Sequence, residues 1–167
     1  YDAAIGDQTA GQYDEAVSAF SALGSYADSA TQVLQSKYLK AGSLAENGKY
    51  DDAIAIYNEL GDYQDSATLA TKTGADKLYA AGSYTKAYAI YRTLDEAYQP
   101  HASDYAAMYD AAIGDQAAGQ YDEAVSTFAA LGNYADSATQ VLQSRYLKAG
   151  SLAENGKYDD AIAIYNE

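Results

Sequence analysis

The chain has no cysteine and no tryptophan, and only one proline, one methionine and one histidine. Without cysteine there is no disulfide, no thiolate nucleophile and no thiolate metal site. A lone histidine, His101, cannot form a His–His metal pair or a cysteine–histidine triad. Positive charge is also scarce, with 10 Lys+Arg against 24 Asp+Glu and a formal net charge of −14. Nucleic acid needs clustered Lys and Arg against its phosphates, and an anionic membrane surface needs the same, so both are excluded as expected partners. No apolar run approaches the roughly 20 residues that span a bilayer, and no signal peptide is visible. The chain carries no Asp-x-Asp-x-Asp-Gly calcium loop, no Gly-x-x-x-x-Gly-Lys-Ser/Thr phosphate loop and no Asn-x-Ser/Thr glycosylation sequon. No cofactor and no metal is expected.

What the chain does have is repetition. Residues 109–167 match residues 1–59 at 54 of 59 positions, and the five exceptions are mild: Thr9/Ala117, Ala19/Thr127, Ser21/Ala129, Ser25/Asn133 and Lys37/Arg145. Self-similarity at a fixed offset marks a repeat array, stabilised by stacked neighbours rather than by one globular core. A shorter period lies beneath the long one. Gly-x-Tyr recurs at Gly11–Tyr13, Gly48–Tyr50, Gly82–Tyr84, Gly119–Tyr121 and Gly156–Tyr158, with glycines 37, 34, 37 and 37 residues apart. Three short units make one super-repeat of 108 residues. The units fall at about 1–27, 28–64, 65–99, 100–135 and 136–167, all within a single array. The chain opens at Tyr1 and closes at Glu167 inside units, which implies a slice of a longer array.

Each unit reads as two helices. In Tyr50–Leu60 the residues Ala53, Ile54, Ile56, Tyr57 and Leu60 recur at one-sided helical spacing. Asp51 and Asp52 occupy the first turn, where negative charge suits the helix dipole, and Gly61 follows as a left-handed stop. The same pattern predicts helices at Tyr13–Leu23, Tyr121–Leu131 and Tyr158–Glu167. The other helix of each unit opens at Asp28-Ser29, Asp65-Ser66 or Asp136-Ser137, where a short acceptor side chain can cap free N–H groups. It runs to about Ala45, Ala80 or Ala153, and Asn47-Gly48 and Asn155-Gly156 form tight turns. Nothing alternates as a strand would. The unit at about 74–108 is irregular: it is shorter, and it replaces Leu-Gly-x-Tyr-x-Asp-Ser with Leu94-Asp95-Glu96-Ala97-Tyr98-Gln99-Pro100-His101.

The string Gly-x-Tyr-x-x-Ala-x-x-x-Phe/Tyr resembles the turn and second helix of the tetratricopeptide repeat. Gly48, Tyr50, Ala53 and Tyr57 match its glycine, aromatic, small and aromatic positions, Ala16/Phe20 and Ala124/Phe128 repeat the match, and Ala41 and Leu44 fit its first helix. The resemblance covers the whole chain and implies an all-α, right-handed superhelix of antiparallel helix pairs. Two features depart from the family: most units exceed its 34 residues, and its proline after the second helix is mostly replaced. Sel1-like and other helical-pair repeats fit the turn less well. The Leu-Gly-x-Tyr-x-Asp-Ser block resembles a variant found in surface and multidomain proteins of Gram-positive gut bacteria, which implies an extracellular location. A cytoplasmic one stays open.

Tyrosine is the unusual residue, with 19 copies against two Phe. Tyr13, Tyr50, Tyr84, Tyr121 and Tyr158 are expected to pack between helices with the hydroxyl at the rim. Tyr38, Tyr109 and Tyr146 fall where the resembled family lines its concave groove. With Gln35, Gln143, Glu46 and Glu154 nearby, they are the candidate contacts to an extended peptide or a sugar. Packing between neighbouring repeats is the preferred alternative for the same residues. No residue set stands out as catalytic, since the acidic pairs recur at helix starts in every copy. Two functions therefore compete: a structural spacer, stalk or filament subunit whose partner is a copy of itself stacked head to tail, and a scaffold that binds a protein or peptide in the groove. Near-identical copies favour the first, because reading one ligand usually takes different side chains in different units.

Overall fold

The computed structural model describes all 167 residues, which form ten α-helices, one 3-10 turn and no strand. The helices are α1 (Asp2–Thr9), α2 (Tyr13–Leu23), α3 (Ser29–Glu46), α4 (Tyr50–Leu60), α5 (Ser66–Ala80), α6 (Tyr84–Tyr91), α7 (Ala102–Ala117), α8 (Tyr121–Leu131), α9 (Ser137–Glu154) and α10 (Tyr158–Tyr165). The 3-10 turn spans Glu96–Tyr98. The chain divides into two compact units, Tyr1–Ala80 and Ala81–Glu167. In the first unit each helix packs on the next, from α1 through α5. In the second, α7 to α10 do the same, and α6 rests on α8. Sequential neighbour packing of this kind is the architecture of a helical solenoid.

The interior is built largely from alanine. Ala4 and Ala16 sit with Phe20 in one cluster, and Ala41, Ala53 and Ala70 sit with Tyr57 and Leu60 in another. Small side chains on both partners let helix axes approach closely, and the large rings fill what remains. Buried serines complete the contact. Ser36 donates to the Gln32 carbonyl (2.8 Å) and accepts from the Gln8 amide (2.9 Å), and Ser144 accepts from Gln116 (2.9 Å). Ser29 and Ser137 are also fully buried, and each hydroxyl donates to a carbonyl three residues back, Tyr26 or Tyr134, at 2.6 Å. Their counterpart Ser66 is equally buried, but its hydroxyl has no partner.

Three turn details differ from the sequence expectation or add to it. Asp28 and Asp136 occupy the cap positions of α3 and α9 yet make no side-chain cap bond, because their carboxylates are engaged elsewhere. In the Asn-Gly turns only Gly48 and Gly156 take positive φ (74° and 75°), while Asn47 and Asn155 donate their amides to Ser43 and Ser151 carbonyls at 2.7 Å. Ala27, Gln64 and Ala135, two residues before each buried serine, adopt φ of 49°, 51° and 47°. A non-glycine residue costs about 1–2 kcal/mol in this region, and the loop accepts that cost in all three copies.

Gly24, Gly61 and Gly132 end equivalent helices with φ of 56°, 58° and 57°. A Cβ at Gly24 or Gly61 would meet open space, whereas at Gly132 it would run into the Thr85 methyl of α6. Gly24→Ala and Gly61→Ala should therefore each cost the backbone strain alone, about 1–3 kcal/mol, since positive φ with ψ of −114° and −118° lies outside the left-handed helical well that other residues can visit. Gly132→Ala should add an overpacking cost of about 1–3 kcal/mol, partly relieved in a Thr85→Ala background. Chemical denaturation of the four variants measures this, and equal costs at all three glycines would refute it. By the same measurement Ser29→Ala and Ser137→Ala should each lose about 1 kcal/mol, while Ser66→Ala should lose nothing.

Candidate functional site

Two of the three candidate tyrosines, Tyr38 and Tyr109, belong to a repeated cross-helix device that Tyr1 shares. The hydroxyls of Tyr1, Tyr38 and Tyr109 each donate to an aspartate 27 residues on: Asp28, Asp65 (2.6 Å) and Asp136. Each ring also packs edge-on against the large aromatic of the following second helix: Phe20 at 5.5 Å, Tyr57 at 5.9 Å and Phe128 at 5.4 Å. Each meets the loop tyrosine that precedes the aspartate: Tyr26 at 6.0 Å, Tyr63 at 6.1 Å and Tyr134 at 5.9 Å. One side chain thus binds its own helix to the helix after it and to the loop after that.

Electrostatics follow from this geometry. The tyrosine hydroxyl, and then the Gln32 or Gln140 amide, hold the Asp28 and Asp136 carboxyls below the usual carboxylate range. The same bond pushes the Tyr1 and Tyr109 phenols up, because an ionised phenol cannot donate. Tyr57 is raised mainly by burial, with smaller contributions from the charges of Asp65 and Glu46. A second ladder is ionic. Lys40, Lys77 and Lys148 reach back 26 residues to Asp14, Asp51 and Asp122 at 2.5, 2.6 and 2.6 Å. The first-turn acids therefore bind lysines as well as facing the helix dipole. Exposed pairs of this kind contribute little individually, about 0–1 kcal/mol each.

The sequence-predicted site residues are only partly brought together. Gln35 and Tyr38 both engage the loop before α5: Gln35 accepts from the Tyr63 hydroxyl (2.9 Å) and the Gln64 amide (2.8 Å), while Tyr38 binds Asp65. Glu46 lies eight residues further along α3, about 12 Å by helical rise, and is exposed. Tyr109 is engaged by Asp136 and two rings. Tyr146, Gln143 and Glu154 are exposed, and the Tyr146 ring touches only Tyr165 among the aromatics shown to surround its counterparts (5.7 Å). Tyr13, Tyr50, Tyr84 and Tyr121 are half-buried, as expected of rim residues, whereas Tyr158 is 65 % exposed.

The irregular unit holds a feature that sequence reasoning missed. Tyr88, Tyr91, Gln99, Ala102, Tyr105 and Tyr134 line a cavity of about 230 Å³. The rings of Tyr88, Tyr105 and Tyr134 contact one another at 5.0–6.0 Å. Gln99 is held by its amide on the Leu94 carbonyl (2.8 Å), and Tyr105 donates to the Tyr84 carbonyl (3.3 Å). His101 lies tilted against the Tyr91 ring at 5.7 Å and bonds Asp104 at 2.8 Å. The excess of tyrosine in this stretch was the available signal, but without periodicity it did not say which rings meet.

No group of three or more His, Cys, Asp and Glu side chains is placed to hold a metal ion, and no helix is long and apolar enough to cross a membrane. The fold and its repeated contacts define an all-α helical repeat. Compared with protein-family models, curated proteins and solved structures, the chain matches none.

The shifted groups predict a pH profile. A lowered Asp contributes stability above its unfolded value, about 3.9, and loses it as pH falls through the folded value. A raised Tyr contributes below about 10 and loses that contribution as pH rises through its folded value. Asp28→Asn with Asp136→Asn should therefore shrink the stability lost between about pH 7 and pH 3. Tyr1→Phe with Tyr109→Phe should flatten the alkaline limb. Urea unfolding across pH, followed by circular dichroism, tests both; unchanged limbs would show that these bonds are not formed in solution.

Proposed function

We propose that this chain is a non-enzymatic, tetratricopeptide-like repeat scaffold with a structural role: a spacer, stalk or filament subunit whose geometry is set by stacked helical units. The observation that carries this reading is the Tyr–aromatic–Asp device, present three times at the same spacing. Polar side chains that a groove would offer to a ligand are used to join one helix pair to the next. The Lys–Asp ladder consumes further charged groups in the same way. A net charge of −14 favours solubility and self-repulsion between copies. A single histidine and no cysteine leave few side chains suited to catalysis. An extracellular location fits the resemblance in the Leu-Gly-x-Tyr-x-Asp-Ser turns and is part of the proposal.

A second reading, peptide binding, draws on the tyrosine-lined cavity of the irregular unit. Its volume of about 230 Å³ suits one side chain or one ring rather than a whole ligand. The Tyr38 and Tyr109 hydroxyls weigh against the groove version, since each is already bound to an aspartate.

Electron microscopy and sedimentation over a concentration range separate the forms. End-to-end assemblies that lengthen with concentration are expected for a filament subunit. Monomers at every concentration would remove the filament form and leave the covalent spacer. Saturable binding of peptides that Tyr88→Ala abolishes would replace both with the second reading.

A further inference from the structure

The irregular unit departs from its neighbours at two repeated positions as well as in its turn. Val17, Ile54 and Val125 each stand four residues after the first tyrosine of a regular second helix; in α6 that place holds Tyr88. Leu34 and Leu142 stand four residues before Tyr38 and Tyr146; in α7, four residues before Tyr109, the residue is Tyr105. Both exchanges put a phenol ring where the regular units carry an aliphatic side chain. Both rings border the cavity of about 230 Å³ that Tyr91 and Tyr134 also line. Rings recruited only to fill space left by the missing Tyr–Asp device would close on one another, as protein interiors do. Here a cavity stays between them. Tyr91 and Tyr105 are buried, Tyr88 and Tyr134 are half-buried, and Ala102 is exposed, so the cavity has a closed floor and an open mouth. The Tyr88 ring stands at 72° to Tyr134 and 58° to Tyr105, so the rings border the space from different sides and not as one flat stack.

We infer that this cavity is a binding site for a trimethylammonium group. Electron-rich aromatic rings attract a cation, and a methylated one also packs its methyl groups against them. Phenol rings are electron-rich, the more so when the hydroxyl donates, as that of Tyr105 does to the Tyr84 carbonyl (3.3 Å). Nothing in the lining opposes positive charge. It contains no Lys, Arg or His, and Gln99, anchored on the Leu94 carbonyl, keeps an oxygen that can only accept. An anion would meet no cationic group in this lining, on a chain of net charge −14. An ordinary ammonium would have to give up strong hydration and leave N–H groups without partners among the rings. A trimethylammonium group has no N–H to satisfy. Size agrees as well, since the cavity is smaller than the roughly 300–1,000 Å³ of sites for drug-sized ligands and suits a head group alone. The inference goes beyond the scaffold reading and does not depend on whether the chain assembles.

The probes are choline and its neutral carbon isostere, in which a tert-butyl group replaces trimethylammonium. Each is titrated into the whole chain and followed by NMR through its own methyl resonance. Saturable binding of choline is expected, with the upfield shift that ring faces impose, and binding of the isostere about tenfold weaker. Tyr88→Ile and Tyr105→Leu install residue types that the regular units carry at these positions. The helical spectrum should persist in both while choline affinity falls about tenfold. Tyr88→Phe keeps a ring and should keep most of the affinity. Should Tyr88→Ile unfold the chain, the isostere and Tyr88→Phe still decide. A short peptide carrying trimethyl-lysine, beside the same peptide with plain lysine, separates the two sources of the group. Tighter binding of the methylated peptide than of choline assigns a modified protein side chain, and weaker binding assigns a small molecule; both support the inference. Equal binding of choline and its isostere would overturn it, as would equal binding of the two peptides or no saturation by choline. So would full affinity in folded Tyr88→Ile, or displacement of choline by equimolar potassium, which would reduce the effect to the attraction of an acidic surface.

Discussion

A phenol that faces three ways holds successive helices of this chain in register. The buried hydrophobic residues are mostly alanines, and alanine buries too little area to specify how far one helix slides along another. Tyrosine supplies what is missing. Its ring fills the gap left by small residues and meets the aromatic of the following second helix edge-on, and its hydroxyl must find a directional partner. The partner lies 27 residues ahead, past a whole second helix and a loop. A phenylalanine would fill the same volume and leave the loop untied. An aspartate without the phenol would be free to cap its own helix. The two residue types are therefore coupled, and the coupling is what sets the length of a unit.

The irregular unit shows what the coupling controls. At the position equivalent to Tyr38 stands Lys72, which pairs with Asp76 four residues on at 2.8 Å, within its own helix. At the position equivalent to Asp65 stands Gln99, turned to the Leu94 carbonyl. Neither half of the device is present, and the division between the two compact units falls in this stretch, between Ala80 and Ala81. The contacts that replace it are of another kind. Thr85 occupies the place of the first-turn acids and donates to the carbonyls of Ala129 and Ala130 beside Gly132, so α6 rests on α8. The spare tyrosines of this stretch gather into the cavity around Tyr88 and Tyr105. One super-repeat thus contains two regular junctions and one exception.

Much of the fold was legible in the sequence because it is periodic and local. The helices at Tyr13–Leu23, Tyr50–Leu60 and Tyr121–Leu131 lie where apolar spacing and a terminal glycine put them, and α3, α5 and α9 end within a residue of their expected limits. What stayed hidden was every contact that crosses a helix pair. Asp28 and Asp136 read as caps from their neighbours, since nothing local shows that a tyrosine 27 residues earlier claims the carboxylate. Tyr38 and Tyr109 left two readings open, groove contact or packing between neighbouring repeats, because their surroundings are set by the next unit. The left-handed Ala27, Gln64 and Ala135 gave no signal at all, because alanine and glutamine are not residues that favour that conformation.

Tyr57 and Tyr165 carry this lesson to its functional consequence. They are the same residue in the same local sequence, one nearly sealed and the other half open. No property of the segment itself separates them; only the presence of α5 does. In a globular domain, burial is decided once, when the core closes. In an array it is decided again at every junction, so each unit is both a finished neighbour and an unfinished surface. A chain built this way gains length by repeating one contact. At each regular junction seen here the later loop brings an aspartate to the phenol of the unit before it.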